Sequence, residues 1–314
     1  MLRSASILLR FSRPHTILAT GLQTLLGLAF TFNSIPELHP ETFVIQLALM
    51  LVAGLGLNIY VVGINQITDI DIDRINKPNL PLAAGDMSLN QARVIVAAGA
   101  ACAILGGLVL GSYWVIGNVL ILLLGTIYSC KPLRLKQYAV WSGLVIAVCR
   151  GVIFNLTTFA TWHDLYGIKM NNWAPIGSLC FFMFAFVLAI GIFKDLPDTE
   201  GDRKHHMLTY AVKYGTSRSY WSGVVLLGCA YTAVISANLL QLGMERSFVF
   251  TGAMILSLVC LVIVATRISD LSQRSLTGFY RIIWILFYVG LVSFSAYALL
   301  SGGGPGIEPL AMDI

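Results

Sequence analysis

Apolar runs of about 20 residues recur along the whole chain, and nothing constrains its fold more. As helix, ~20 residues rise about 30 Å, the thickness of bilayer hydrocarbon. Inside hydrocarbon every backbone N–H and C=O must find its partner within the chain, so long uncharged runs of this kind have to be helical. The runs fall near residues 16–33, 42–64, 91–111, 113–130, 138–160, 173–193, 219–240, 247–266 and 280–300, with only the short GSYW at Gly111–Trp114 parting the third from the fourth. The expectation is an all-α, polytopic membrane protein of about nine transmembrane helices. Only 11% of the 314 residues are charged and the mean hydropathy is +0.80, against ~25% charged in soluble domains. No polar linker divides the chain. Residues 8–300 therefore read as one integral-membrane domain, and the Gly/Pro-rich tail 301–314 is expected to be flexible.

With the N-terminus placed inside, all twenty Lys and Arg except Lys169, Arg246 and Arg150 fall on the inner side. That asymmetry is the positive-inside rule, and it puts the N-terminus in the cytoplasm and the C-terminus opposite. The net charge of +5 is scattered among apolar segments and gives no reason to invoke nucleic acid. The cysteines (Cys102, Cys130, Cys149, Cys180, Cys229, Cys260) lie in or beside apolar runs without a CxxC pair. They read as packing residues, neither a disulfide framework nor a metal site. The basic start, MLRSASILLRFSRPH, lacks a signal-peptide h-region, as expected of a bacterial chain or one already processed.

The long inner connections after the second and sixth runs carry acidic clusters. In NQITDIDIDRINKPN (Asn65–Asn79), Asn65, Asp69 and Asp73 are spaced i, i+4, i+8; on a continuing helix they share one face while Asp71 points elsewhere. In FKDLPDTEGDRKH (Phe193–His205), Asp195, Asp198 and Asp202 follow at i, i+3, i+7. Four spans separate the clusters, which hints at an internal repeat. Carboxylates gathered at a membrane edge repel one another and resist desolvation. A solvated loop paired with its own cations, such as Asp73 with Arg74, is one resolution. An ion pathway is another, although its carboxylates belong within spans. The resolution that suits both clusters is Mg²⁺, a hard cation held by one or two carboxylates plus substrate phosphates. Two clusters facing one cavity predict two Mg²⁺ ions bridged by a diphosphate. Arg74, Lys77, Lys131, Arg134, Lys136, Lys194 and Arg203 flank the same span ends, as membrane anchors or as diphosphate ligands. Arg150 lies within the fifth run, where a charge must be paired or line a polar cavity.

The clusters resemble the NxxxDxxxD and DxxDxxxD motifs of the UbiA-type intramembrane aromatic prenyltransferases. FSRPHTI (Phe11–Ile17), NIYVVGINQITDIDIDRINKPNLPLAAGDMS (Asn58–Ser88), YSCKPLRLK (Tyr128–Lys136) and IFKDLPDTEGDRK (Ile192–Lys204) are similar to its homogentisate prenyltransferase branch, and the likeness runs over about residues 8–290. The resemblance implies nine helices around a central cavity, a cytoplasmic cap and a lateral opening to lipid. It implies Mg²⁺-dependent transfer of a prenyl group, phytyl foremost, from its diphosphate to the ring of homogentisate. The acid loses its carboxylate, as in tocopherol synthesis. By position, Asn65, Asp69 and Asp73 would hold one metal, and Asp195, Asp198 and Asp202 the other. Arg74, Lys77, Arg134 and Lys136 would serve the diphosphate or the cap. Lys131 departs from the branch, where many members carry a second proline.

Expected partners are a prenyl diphosphate, a small aromatic acid and the lipid bilayer, in a bacterial inner or thylakoid membrane. Within the superfamily, homogentisate solanesyl- or geranylgeranyl transfer, 4-hydroxybenzoate polyprenylation and chlorophyll synthesis stay open; outside it, cation transport does. Tyr60 and Tyr128 near inner span ends are candidates for stabilising an allylic cation, or for an interfacial aromatic belt. Arg13 and His15 are candidates for the acid's carboxylate. His163, His205 and His206 read as solvated loop residues.

Overall fold

A computed structural model describes residues 2–169, 172–204, 207–268 and 270–300; the tail 301–314 and the pair His205–His206 lie outside the described residues. In chain order the helices are α1 (Leu2–Phe11), α2 (Pro14–Phe32), α3 (Pro40–Thr68), α4 (Ile70–Asn76), α5 (Pro81–Ala84), α6 (Leu89–Leu110), α7 (Ser112–Ser129), α8 (Ala139–Ile146), α9 (Phe154–Leu165), α10 (Ala174–Asp195), α11 (Thr199–Lys204), α12 (Tyr210–Tyr214), α13 (Thr216–Leu239), α14 (Phe248–Arg267) and α15 (Gln273–Leu300). A π-helical stretch, Ala147–Ile153, joins α8 to α9 in one continuous rod. Among the described residues nine helical rods are long and apolar enough to cross a membrane: α2, α3, α6, α7, α8–α9, α10, α13, α14 and α15. No strand occurs among them beyond one isolated bridge, Tyr138 to Leu208.

Local chemistry sets the ends. Proline stands in the first turn of α2, α3, α5 and α10, where its missing N–H costs nothing. Ser88 and Gln91 form a reciprocal capping box at the start of α6. Gly111 alone turns α6 into α7, at φ 94° and ψ −179°, a backbone only glycine takes readily. Helix α15 begins at Gln273, well before the apolar run at 280, because hydropathy marks only the part of a helix that hydrocarbon surrounds. Likewise α3 has 29 residues, ~44 Å of helix, so its polar end with Asn65 and Gln66 outreaches the hydrocarbon.

Small residues bring the rods together. Gly99, Ala103 and Gly107 form a stripe along α6, and a Cβ on Gly99 would lie 2.6 Å from the Gly56 carbonyl of α3. Lipid tails are as apolar as leucine, so such close backbone approach is what drives association. Helix α10 is the hub: Phe182, Phe186 and Phe193 are buried against Tyr231, Phe287 and Phe279. That packing fixes the inner end of α10, where Asp195 sits. Helices α1, α5 and α4 touch in series, α4 meets α11, α11 meets α12, and α12 and the 3₁₀ turn Leu135–Gln137 meet α8, so that these short elements form a cap at the same end. Gln66 Nε2 donates to the Phe11 carbonyl at 2.6 Å, tying the α1–α2 bend to α3.

Candidate active site

Neither acidic cluster rides on an unbroken helix. Helix α3 stops at Thr68, Asp69 takes φ −119° and ψ 17°, and α4 restarts at Ile70. Helix α10 stops at Asp195 and α11 starts at Thr199, leaving Asp198 in the break after Pro197. The expectation of one continuous face is corrected, and the reason is packing. Straight helices would carry these charged turns away from the bundle, whereas the breaks fold α4 and α11 onto each other. Gly201 permits the contact, since a Cβ there would collide with the Asn76 amide. Helical spacing survives inside each half: Asp73 N–H donates to Asp69 O at 2.7 Å and Asp202 N–H to Asp198 O at 3.1 Å.

Asp69, Asp73, Asp195, Asp198 and Asp202 are all buried, while Asp71 is exposed and paired with exposed Arg74 at 2.9 Å. Asp69 takes both its oxygens to cations, Arg134 at 2.8 Å and Lys136 at 2.8 Å. Both come from the short loop between α7 and α8, where Arg134 adopts a left-handed φ of 39°. Lys136 also donates to Asn65 Oδ1 at 3.0 Å. Lys77 pairs with Asp198, and Asn76 Nδ2 donates to Asp202 Oδ1 at 3.2 Å, so α4 reaches across to the second cluster. Lys194 lies 3.7 Å from Asp195 and donates to Tyr128 Oη at 3.0 Å.

Burial pushes the Asp73 carboxyl up to about 6, helped by Asp69 and Asp198 and opposed by Lys77 and Arg13. Burial, with Asp198, likewise lifts Asp202 to about 6. Burial pulls Lys136 down to about 8 against the attraction of Asp69. Among the described residues no three carboxylate, His or Cys side chains are drawn together at metal-ligand spacing. Asp69, Asp195 and Asp198 are held on lysine and arginine partners instead. Yet Asp73 Oδ2 and Asp195 Oδ2 are buried without a hydrogen-bond partner. Orphaned hard oxygens beside further carboxylates are a donor set that fits Mg²⁺.

Beneath the clusters a cavity runs into the bundle, lined mainly by apolar side chains. Asn65, Tyr128, Lys194 and Arg13 line its charged end; Arg150 and His15 also face it. Tyr60 does not: its hydroxyl lies 2.6 Å from Thr126 Oγ1 on α7. Arg74, Lys131 and Arg203 are exposed and are not brought into this group. Sequence reasoning missed Tyr280 and Trp284, which line the cavity from α15 and carry no signal apart from their type. It also missed Thr20, Gln23 and Asn58; polar residues inside apolar spans were the available sign. His163 is buried within α9, its ring centroid 4.1 Å from Phe159, which corrects the reading of a solvated loop residue.

With this geometry in place, the sequence matches a family model along most of its length, residues 21–290. The chain belongs to the UbiA prenyltransferase family. It is 37% identical over 294 residues to homogentisate phytyltransferase of Synechocystis sp., covering 89% of this chain and 91% of that one. It is 36% identical over 301 residues to homogentisate solanesyltransferase of Arabidopsis thaliana, covering 91% and 75%. Among solved structures, a UbiA homolog from Archaeoglobus fulgidus bound to GPP and Mg²⁺ aligns with a TM-score of 0.62 at 19% identity, over 92% of this chain and 99% of that one. That likeness carries the fold: an integral, multi-pass UbiA bundle.

Proposed function

We propose that this UbiA prenyltransferase moves a prenyl group, phytyl foremost, from its diphosphate to the aromatic ring of homogentisate, which loses its carboxylate. The observation that supports the reading most is the docking of α4 on α11 through Asn76–Asp202 and Lys77–Asp198. It closes two acidic turns, distant in sequence, over one apolar cavity. Both relatives above carry homogentisate in their names and differ in the prenyl group, so the acceptor has firmer support than the donor.

Residues 8–300 act as one catalytic domain. Asn65, Asp69 and Asp73 would hold one Mg²⁺, and Asp195, Asp198 and Asp202 a second. Bound there, the metal neutralises charge that grows on a departing diphosphate. Lys77, Arg134, Lys136 and Lys194 bind phosphate oxygens by charge-assisted hydrogen bonds. The apolar wall excludes water that would quench an allylic cation, and Tyr128, Tyr280 and Trp284 place aromatic rings in the cavity lining where such a cation would form. The clustering of Lys and Arg at this end supports a cytoplasmic site in a bacterial inner or thylakoid membrane.

The test is turnover. Membranes containing the protein, given Mg²⁺, homogentisate and phytyl diphosphate, are expected to yield a prenylated quinol and free diphosphate. No product across a panel of prenyl diphosphates and aromatic acceptors overturns the reading.

A further inference from the structure

Arg150 stands in the middle of the fifth rod, on the π-helical stretch Ala147–Ile153, and lines the cavity. Its guanidinium meets three neutral oxygens: Gln23 Oε1 at 3.3 Å, Thr20 Oγ1 at 3.2 Å and Asn58 Oδ1 at 3.3 Å. None is an anion, and Arg150 forms no salt bridge among the described residues. These contacts are also longer than the ~2.7–2.9 Å of charge-assisted bonds to carboxylates.

The surroundings hold the group in place. Gln23 Nε2 donates to the Arg150 carbonyl at 2.8 Å and to Asn155 Oδ1 at 3.0 Å, so the widened backbone turn is tied to α2. Asn58 Nδ2 donates to the Ser12 carbonyl at 3.2 Å, which aims its Oδ1 at Arg150. On the opposite side Gly151 lets the α10 backbone approach, since a Cβ would lie 2.6 Å from Phe184 N. A cation fixed this firmly inside a membrane span, facing a cavity and lacking a counter-ion, is costly without a ligand. Five donors in a planar fork match a carboxylate better than a phosphate already served by four cations at the cavity mouth.

We infer that Arg150, oriented by Thr20, Gln23 and Asn58, is the specificity residue that receives the carboxylate of the aromatic acid; this rests on the proposed acceptor class. Depth agrees. Asn58 lies seven residues below Asn65 on α3, ~10 Å of helix, room for one ring with a short acid arm between the clusters and Arg150. The ring is then held under the diphosphate with its acid pointing away from the acidic turns, which would repel it. Arg13 is the less suited cation, because it already acts on Asp73 at the mouth.

The experiment compares wild type with Arg150→Met and Arg150→Lys in detergent with Mg²⁺, measuring binding of homogentisate, of the neutral 2-methylhydroquinone and of a non-hydrolysable prenyl diphosphate. Expected is a loss of about 10- to 100-fold in homogentisate affinity for Arg150→Met, the worth of a charge-assisted pair, with a smaller loss for Arg150→Lys. The prenyl diphosphate and the neutral quinol should bind each variant within about twofold of wild type, which also certifies the fold. Homogentisate bound equally by wild type and Arg150→Met overturns the inference alone, as does an equal loss on the neutral quinol. A wild type that binds the prenyl diphosphate but no aromatic acid overturns the acceptor class and the inference together. Should Arg150→Met lose prenyl diphosphate too, Arg150→Lys decides: weaker homogentisate binding with the quinol and the prenyl diphosphate within about twofold of wild type supports the inference, and homogentisate bound as in wild type, or an equal loss on the quinol, refutes it.

Discussion

Asp73→Asn separates what the site does for function from what it costs in stability. Asp73 is only 5% exposed, one of its oxygens has no partner, and its carboxyl is pushed from the ordinary 3.8 to about 6. The protonated form is the one the fold favours. Its contribution to stability is therefore complete below pH ~4 and lost as pH rises through about 6. Above that, the ionised carboxylate burdens the metal-free protein by about 3 kcal/mol at 1.36 kcal/mol per pH unit. An amide of the same shape removes the charge but keeps buried polar atoms, which return about 1–2 kcal/mol of the gain. The net expectation is a metal-free protein more stable by about 1–2 kcal/mol at pH 8, roughly 2–6 °C in unfolding midpoint. Near pH 4, where the wild-type carboxyl is itself neutral, only the amide's cost remains, and the variant should be the less stable by about 1 kcal/mol. Mg²⁺ at ~100 times its Kd should raise the wild-type midpoint by the equivalent of about 2.7 kcal/mol and Asp73→Asn by much less. Turnover in the variant should fall at least about 100-fold, the size of a lost electrostatic stabiliser. Thermal unfolding in detergent with EDTA or Mg²⁺, at pH 4 and pH 8, reads all of this. A variant that melts below wild type without metal at pH 8, or that keeps the full Mg²⁺ response, refutes the reasoning.

Other perturbations test separate parts. Lys136→Met leaves buried Asp69 with Arg134 alone and should cost about 3 kcal/mol in denaturant midpoint. Gly201→Ala should wedge α11 off the Asn76 amide, raising proteolytic cleavage at α4 and α11 and lowering turnover about tenfold, with the spans intact. Arg74→Ala breaks only an exposed pair with Asp71, so stability should change by less than about 0.5 kcal/mol and turnover by less than twofold. Chelation with EDTA should abolish prenyl transfer, and Mg²⁺ should restore it.

The spans were legible because hydrocarbon leaves one solution for an uncharged run of twenty residues. Their ends were legible where proline, glycine or a Ser–Gln box marks them, as at Pro40, Gly111 and Ser88. The breaks at Asp69 and Asp198 were not, because nothing local at Asp69 forbids helix. What ends α3 there is the gain from laying α4 across α11, a long-range contact. At the second break Pro197 was an available sign that the helical reading of the cluster passed over. The cations were legible as a set but not as individuals. Lys77, Arg134 and Lys136 turn inward while Arg74, Lys131 and Arg203 turn out, a choice made by the fold of two short loops.

These inward cations explain why five buried carboxylates do not look like a metal centre. Asp69, Asp195 and Asp198 are held by Arg134, Lys136, Lys194 and Lys77, so most of the charge at the cavity mouth is compensated within the protein. The exceptions are informative. Among the described residues Asp73 forms no salt bridge and keeps an orphaned oxygen, and Asp202 accepts a hydrogen bond from neutral Asn76, with neutral Thr209 and the cations Lys194 and Lys77 acting on it without an ion pair. Such a site has two ways to neutralise itself. Asp69, Asp195 and Asp198 use the protein's own lysines and arginines. On the proposed function, a prenyl diphosphate arriving with divalent cations would offer better partners to both: metal for the carboxylates and phosphate oxygens for the cations. Each ammonium that left a carboxylate for a phosphate would free an oxygen able to bind metal. Metal and diphosphate should therefore bind cooperatively, each raising the affinity of the other by the same factor, and a neutralised Asp73 or Lys77 should weaken that coupling more than it weakens the binding of either alone.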